Sequence, residues 1–188
     1  VLEGILPARE FVAWYNGHPD FDHVGPIVQK ALQSSENDMN DDDDDDSICH
    51  VPVVVIGQGN VALDCARILA KGRPGLNDTD IASRALDVIK GGVSQVSIVG
   101  RRGHVQGAFT IKELRELIEM QAQGKEGASF VVRPDELEMG RTEASLQELE
   151  SKPSGRPKQR IDKLLSQAAA VSSDTLGIDA PSKRVELR

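Results

Sequence analysis

Residues 51–62 read Val-Pro-Val-Val-Val-Ile-Gly-Gln-Gly-Asn-Val-Ala, and this stretch decides the fold. Val51 to Ile56 is a short, continuous, β-branched apolar run, the pattern of a central parallel strand buried on both faces. Gly57 and Gly59 end it. Val61, Leu63, Ala66, Ile68 and Leu69 then recur at helical spacing, which predicts a helix from Asn60 to Ala70. A GxGxxA turn between a buried strand and a helix is the dinucleotide-binding fingerprint in its required context. Gly57 permits the tight turn, Gly59 lets a pyrophosphate approach the backbone, and Ala62 lets helix and strand pack closely. The helix start offers free N–H groups and a partial positive charge to the phosphates. Gly57, Gln58, Gly59, Asn60, Val61 and Ala62 are therefore the candidate phosphate-binding residues. A glycine-rich strand-to-helix turn that binds nothing is the plain alternative.

Working outward, Gly72, Pro74 and Gly75 break the chain. Thr79 reads as the N-cap of a helix carrying Ile81, Ala82, Ala85, Leu86, Val88 and Ile89, stopped by Gly91-Gly92. Val93 to Val99 is the second strand, and Gly100-Arg101-Arg102-Gly103 is the turn at its carboxyl end. In NAD-specific units an acid at this place binds the ribose 2′-hydroxyl, whereas Arg accommodates the 2′-phosphate of NADP. No acid follows Val99. Arg101 and Arg102 do, and guanidinium suits bidentate phosphate contact. The pair stands about 40 residues beyond the glycines instead of the usual 20 or so, and the extra helix at 79–90 accounts for the difference. An arginine pair is often only solvated surface, but its place at this strand end predicts NADP(H). A helix over about 110–121 follows. Thr110 and Glu113 fit a capping box, and Glu113 is also a candidate beside the nucleotide, since one capped helix start can do both. Phe130 to Val132 is a third strand. Pro157 to Ala170 is a further helix, with Ile161, Leu164, Leu165 and Ala168 on one face, and Arg184 to Leu187 is strand-like. The fold class is α/β, a Rossmann-like nucleotide-binding domain with a parallel central sheet.

Hydrophobic residues make up 39 % of the chain and aromatics 3 %, which predicts a modest core with much polar loop. No apolar run approaches the roughly 18 residues that cross a bilayer, so no transmembrane segment is expected. The net charge of −8 is a local feature: Glu36, Asp38 and Asp41 to Asp46 carry it, and the 30 acids less these eight equal the 22 bases. Such a block repels itself and predicts a solvated loop. It lacks the glycine and spaced ligands of a calcium loop. Cys49 and Cys65 have neither CxxC nor metal-ligand spacing, so no metal site and no redox disulfide is expected. Lys152, Arg156, Lys158, Arg160 and Lys163 form a basic cluster opposed only by Asp162. It fits a solvated face or a surface that steers an acidic partner. Without aromatic interleaving it does not fit nucleic acid.

Phe11, Trp14 and Tyr15 gather aromatics in a connecting segment, which predicts that it packs on something, a neighbouring domain being one candidate. The expected organisation is a linker at 1–20, an acidic insertion or loop at 21–50, and the nucleotide-binding domain at 51–188. The strand-like end, Arg184-Val185-Glu186-Leu187, is expected to belong to an internal piece of a longer protein.

Three stretches together carry a family resemblance: Val54-Val55-Ile56-Gly57-Gln58-Gly59-Asn60-Val61-Ala62-Leu63-Asp64, Val99-Gly100-Arg101-Arg102-Gly103 and Ala108-Phe109-Thr110-Ile111-Lys112-Glu113-Leu114-Arg115-Glu116. They resemble the adrenodoxin reductase family, the mitochondrial-type ferredoxin–NADP reductases. Phe11-Val12-Ala13-Trp14-Tyr15-Asn16-Gly17-His18-Pro19-Asp20 resembles that family's passage from its FAD domain into its NADP domain. The resemblance implies a flavoprotein that moves electrons from NADPH through FAD to a [2Fe–2S] ferredoxin. It implies NADP-binding roles for Gln58 to Val61, Arg101, Arg102 and Glu113, and ferredoxin docking at Arg156, Lys158, Arg160 and Lys163. It implies FAD bound mainly by regions absent from this chain, no catalytic residue within it, and a fragment inactive on its own. It also implies the mitochondrial matrix, or the cytoplasm for bacterial relatives. His104-Val105-Gln106-Gly107 replaces the family's more usual Gly-Pro-containing turn. The rival expectations are a non-catalytic Rossmann interaction module and the NADPH-binding part of another flavin-linked enzyme, such as a glutamate synthase small subunit.

Overall fold

The computed structural model describes residues 4–33, 48–120, 128–151, 155–175 and 183–188. The acidic run at 36–46 and Lys152 lie outside the described residues. Among the described residues four strands form one parallel sheet: β1 (Val53–Ile56), β2 (Gln95–Val99), β3 (Ser129–Val132) and β4 (Arg184–Leu187). Their spatial order is β1-β2-β4-β3. The expected α/β fold with a parallel sheet is thus present, and the strand-like end of the chain is β4, wedged between β2 and β3.

The expected central place of β1 is not observed. Among the described residues β1 is an edge strand, with Val54 59 % and Ile56 89 % exposed. Val53 and Val55 pack against the core, while Val54 and Ile56 point to the uncovered face. A period-two exposure has appeared where the apolar run predicts burial on both sides.

α3 (Asn60–Lys71) follows the glycine turn and packs on β1, β2 and β4. It buries Leu63, Ala66, Ile68, Leu69 and Ala70, and burial of a Leu or Ile side chain stabilises by about 1.5–3 kcal/mol. Gly72, at φ 65°, stops it. Lys183, just before β4, is 2 % exposed and sends its ammonium to the carbonyls of Lys71 (3.1 Å) and Gly91 (3.3 Å). A buried cation is tolerated there because it satisfies carbonyl oxygens at a helix C-terminus.

Thr79 does not cap the next helix. Its hydroxyl donates to Leu76 O (2.6 Å), and α4 runs from Ser83 to Ile89 with Ala82 at its N-cap. Ile81 and Ala82 therefore precede the helix. Local turn closure has won over capping, a competition open to any Thr in a polar loop. α5 (Ile111–Glu119) starts at Thr110 as expected, and α8 (Gly155–Thr175) buries Ile161, Leu165 and Ala169. Two short helices between them, α6 (Pro134–Met139) and α7 (Glu143–Glu150), were not predicted.

The aromatic segment packs, as its composition predicts, and it does so on the rest of the described chain. It is α1 (Ala8–Tyr15), whose Phe11, Trp14 and Tyr15 share one face at i, i+3, i+4 spacing and join the common core. Trp14 is 1 % exposed and lies against Gly25 of α2 (Val24–Gln33). Tyr15 donates its hydroxyl to Asp64 of α3, and burial followed by that bond raises the phenol above its ordinary range. α2 occupies residues assigned from sequence to the acidic insertion. Cys49 Sγ donates to Leu32 O (3.1 Å), and burial pushes the Cys65 thiol up to about 12.

Candidate nucleotide-binding site

The register of the sheet builds the site. β1 pairs β2 in parallel with Ile56 opposite Val99, so the glycine turn and the arginine turn leave the sheet side by side. Gly57 N–H donates to Val99 O (2.9 Å), which carries the pairing one residue into the turn. Gly57 itself sits at φ 132°, a conformation that glycine supplies without strain. Gly59 is the N-cap of α3 and provides no side-chain cap, and a Cβ added there would meet nothing within 4 Å. An uncapped helix start beside open space is what an anionic pyrophosphate needs. Ala62 is buried in the core.

Two of the candidate residues use their side chains on the scaffold. Gln58 lies across Gly100, where its amide donates to Arg188 O (3.1 Å) at the end of β4. Its own carbonyl accepts from Ala108 N–H (2.7 Å). Asn60 Oδ1 accepts from Thr110 N–H (2.7 Å). Glycine turn and α5 start are thereby tied together.

That bond also alters the expected capping box. Thr110 accepts from Glu113 N–H at 3.4 Å, one half of the box. The other half is replaced, because Thr110 N–H goes to Asn60 and not to the Glu113 carboxylate. Glu113 stays half-buried in the first turn of α5.

Arg101 and Arg102 are both exposed. Arg102 reaches far enough to act on Glu148 of α7. The Glu148 carboxyl is held below the usual range by hydrogen bonds from Lys158 and Gln106, with Arg102 adding a smaller effect. The basic cluster divides. Arg156, Arg160 and Lys163 are exposed at i, i+4, i+7 along α8 and so form one stripe. Lys158 leaves that stripe and is ion-paired with Glu148. Asp162, the lone acid of the cluster, turns inward to His104 and Arg141 and so does not offset the stripe. These inward partners, with Gln106, join the arginine turn to α7 and α8, and the motifs did not point to them. The one signal available was an isolated acid among five bases.

Among the described residues no group of three or more His, Cys, Asp or Glu is placed to hold a metal ion. No described helix is long and apolar enough to cross a membrane.

No family model matches the chain. Three relatives illustrate what it is similar to. It is 39 % identical over 172 residues to NADPH:adrenodoxin oxidoreductase, mitochondrial, of Arabidopsis thaliana, covering 91 % of this chain and 30 % of the relative. It is 36 % identical over 184 residues to the protein of the same name from Rattus norvegicus, covering 97 % and 30 %. It is 41 % identical over 138 residues to NADPH-ferredoxin reductase FprA of Mycobacterium tuberculosis, covering 73 % and 25 %. Among solved structures, Mycobacterium tuberculosis FprA in complex with NADPH superimposes at a TM-score of 0.70 with 34 % identity, over all of this chain and 33 % of that one. The chain spans about a third of the length of the relatives it matches.

Proposed function

Since the chain belongs to the family of NADPH:adrenodoxin oxidoreductases and NADPH-ferredoxin reductases, we propose that it is the NADPH-holding part of such a flavoprotein. One observation carries this most directly: the β1–β2 register sets an uncapped glycine turn and an arginine pair at the same end of the sheet. The backbone at Gly57, Gln58, Gly59, Asn60 and Val61 takes the pyrophosphate, with Ala62 allowing the close packing behind it. Arg101 and Arg102 take the 2′-phosphate, and Glu113 borders the same nucleotide. The nicotinamide, when bound, supplies a hydride for FAD held mainly by other parts of the protein. This chain's own residues bind and orient the donor.

Electrons then pass to a ferredoxin of the [2Fe–2S] type, and the exposed stripe of Arg156, Arg160 and Lys163 attracts it. Lys158 contributes less, because Glu148 already compensates its charge. Arg101 and Arg102 are free of such compensation by an ion pair among the described residues. α1 and α2 belong with the nucleotide-binding unit, since their apolar faces complete its core. The bare face of β1 at Val54 and Ile56 is covered by the remaining two thirds of the protein, which reconciles an apolar strand with its exposure here. The mitochondrial matrix is the proposed compartment.

Titration of the full-length protein with 2′-phospho-AMP and with AMP tests the nucleotide assignment. Arg102→Ala should weaken the first by about 1–3 kcal/mol, the range for hydrogen bonds to charged groups, and leave the second nearly unchanged. Equal losses for the two ligands would sink the clamp.

A further inference from the structure

Beyond the arginine pair the chain enters a 3-10 turn, His104–Gln106, before it reaches α5. Three contacts from outside the β–α–β core pin this turn. The first is His104 itself. Its ring is 6 % exposed, and its Nε2 lies 2.7 Å from Asp162 Oδ1 on α8. Arg141, at the junction of α6 and α7, donates to both oxygens of the same carboxylate, at 3.0 Å and 3.2 Å, and to Ser166 Oγ at 2.6 Å. Burial alone would favour a protonated Asp162, but the hydrogen bonds from Arg141 and His104 outweigh it and hold the carboxyl below its usual range. A carboxylate only accepts, so His104 Nε2 is the donor. The second contact is between backbones: a Cβ on Gly103 would stand 2.6 Å from Gly140 O. The third is Gln106, whose amide donates to Glu148 Oε2 (2.8 Å) and Ser145 Oγ (3.2 Å) of α7.

The arginines thus stand on a turn that has lost its backbone freedom at folding and not at binding. We propose that His104 is a positioning residue for the 2′-phosphate: its bond to Asp162 fixes the turn so that Arg101 and Arg102 meet the phosphate already oriented. This rests on the reading of those arginines as the 2′-phosphate clamp. Ordering a side chain or loop at the moment of binding weakens the complex, and a turn ordered beforehand avoids that loss. His104 is itself too buried to touch the ligand. It therefore sharpens recognition of the one phosphate that the arginines address, without a role at the pyrophosphate.

The test uses calorimetric titration of the full-length protein with 2′-phospho-AMP and with AMP. Wild type, His104→Ala and His104→Gln are compared, the last retaining an amide donor for Asp162. His104→Ala should weaken 2′-phospho-AMP by about tenfold while AMP changes by less than about twofold. His104→Gln should recover most of the loss. Equal weakening of both ligands, or no weakening of 2′-phospho-AMP, overturns the inference. If His104→Ala does not fold, Asp162→Asn asks the same question, and a 2′-phosphate preference kept in that variant overturns it too. A wild type without any preference for 2′-phospho-AMP refutes the clamp and this inference with it. A preference that survives in His104→Ala refutes this inference alone.

Discussion

The two halves of the proposed nucleotide site are made by different means. The pyrophosphate half is a single local stretch, Gly57 to Ala62, whose recognition groups are backbone N–H donors at the start of α3. The 2′-phosphate half consists of two arginine side chains, and the turn beyond them is held by Gly140, Ser145, Glu148 and Asp162, residues 37–58 positions away. Backbone recognition is set once the strand-turn-helix forms. Side-chain recognition depends on where distant helices come to rest. The first half should therefore be resistant to changes elsewhere and the second sensitive to them.

The largest expected effect breaks the local half. Gly59→Val places a side chain where nothing lies within 4 Å, at a φ of −130° that any residue adopts. The fold should melt unchanged, yet NADPH and NADH affinity should fall together by about 3 kcal/mol as phosphate contacts to N–H groups are lost. Calorimetry with both dinucleotides, beside thermal melting, checks this. A loss confined to NADPH would mean that the turn does not hold the pyrophosphate.

A smaller effect probes the assembled half through stability. Asp162→Asn should cost about 1–3 kcal/mol at neutral pH, because the buried donors of His104 and Arg141 lose a charged acceptor. The carboxyl is held below its ordinary value in the folded chain. Its stabilisation is then fully present above the unfolded value of about 4 and disappears as pH falls through the lower folded value. Denaturant midpoints of wild type and variant should accordingly converge on acidification below about pH 4. A gap that persists undiminished at pH 2–3 contradicts this assignment.

The smallest effect concerns the outer face of α8. Reversing Arg156 and Arg160 to Glu in the full-length protein should slow ferredoxin reduction several-fold at low salt, with the difference vanishing at high salt. NADPH oxidation by a small dye should stay the same. If the dye reaction slows equally, the stripe is not a docking surface and the division between the inward and outward faces of α8 has to be redrawn.

The same contrast governs what the sequence reveals. β1, α3, β2 and the glycine turn are legible because their signals are local: an apolar run, two glycines, a helical period. Arg101 and Arg102 are legible because a strand end fixes their place. His104, Gln106 and Arg141 are not, since each works through a partner far along the chain and has no motif of its own. Asp162 looks like a stray acid in a basic run until α8 is rotated into place. The helical character of α1 is visible in hindsight in the spacing of Phe11, Trp14 and Tyr15, yet three aromatics fit a docked linker as well as a helix face. The place of β1 in the sheet is the instructive case. An apolar run reports a strand's propensity, whereas its place in the sheet is set by pairing with distant strands.

That strand has a practical consequence. Among the described residues β1 offers an unpaired row of backbone donors and acceptors flanked by Val54 and Ile56, with no charged residue among Val53 to Ile56 to discourage a partner. Such an edge is a template for strand addition. A preparation of this chain alone should be governed by concentration: dilute samples remain single chains, and crowded ones extend the sheet from copy to copy.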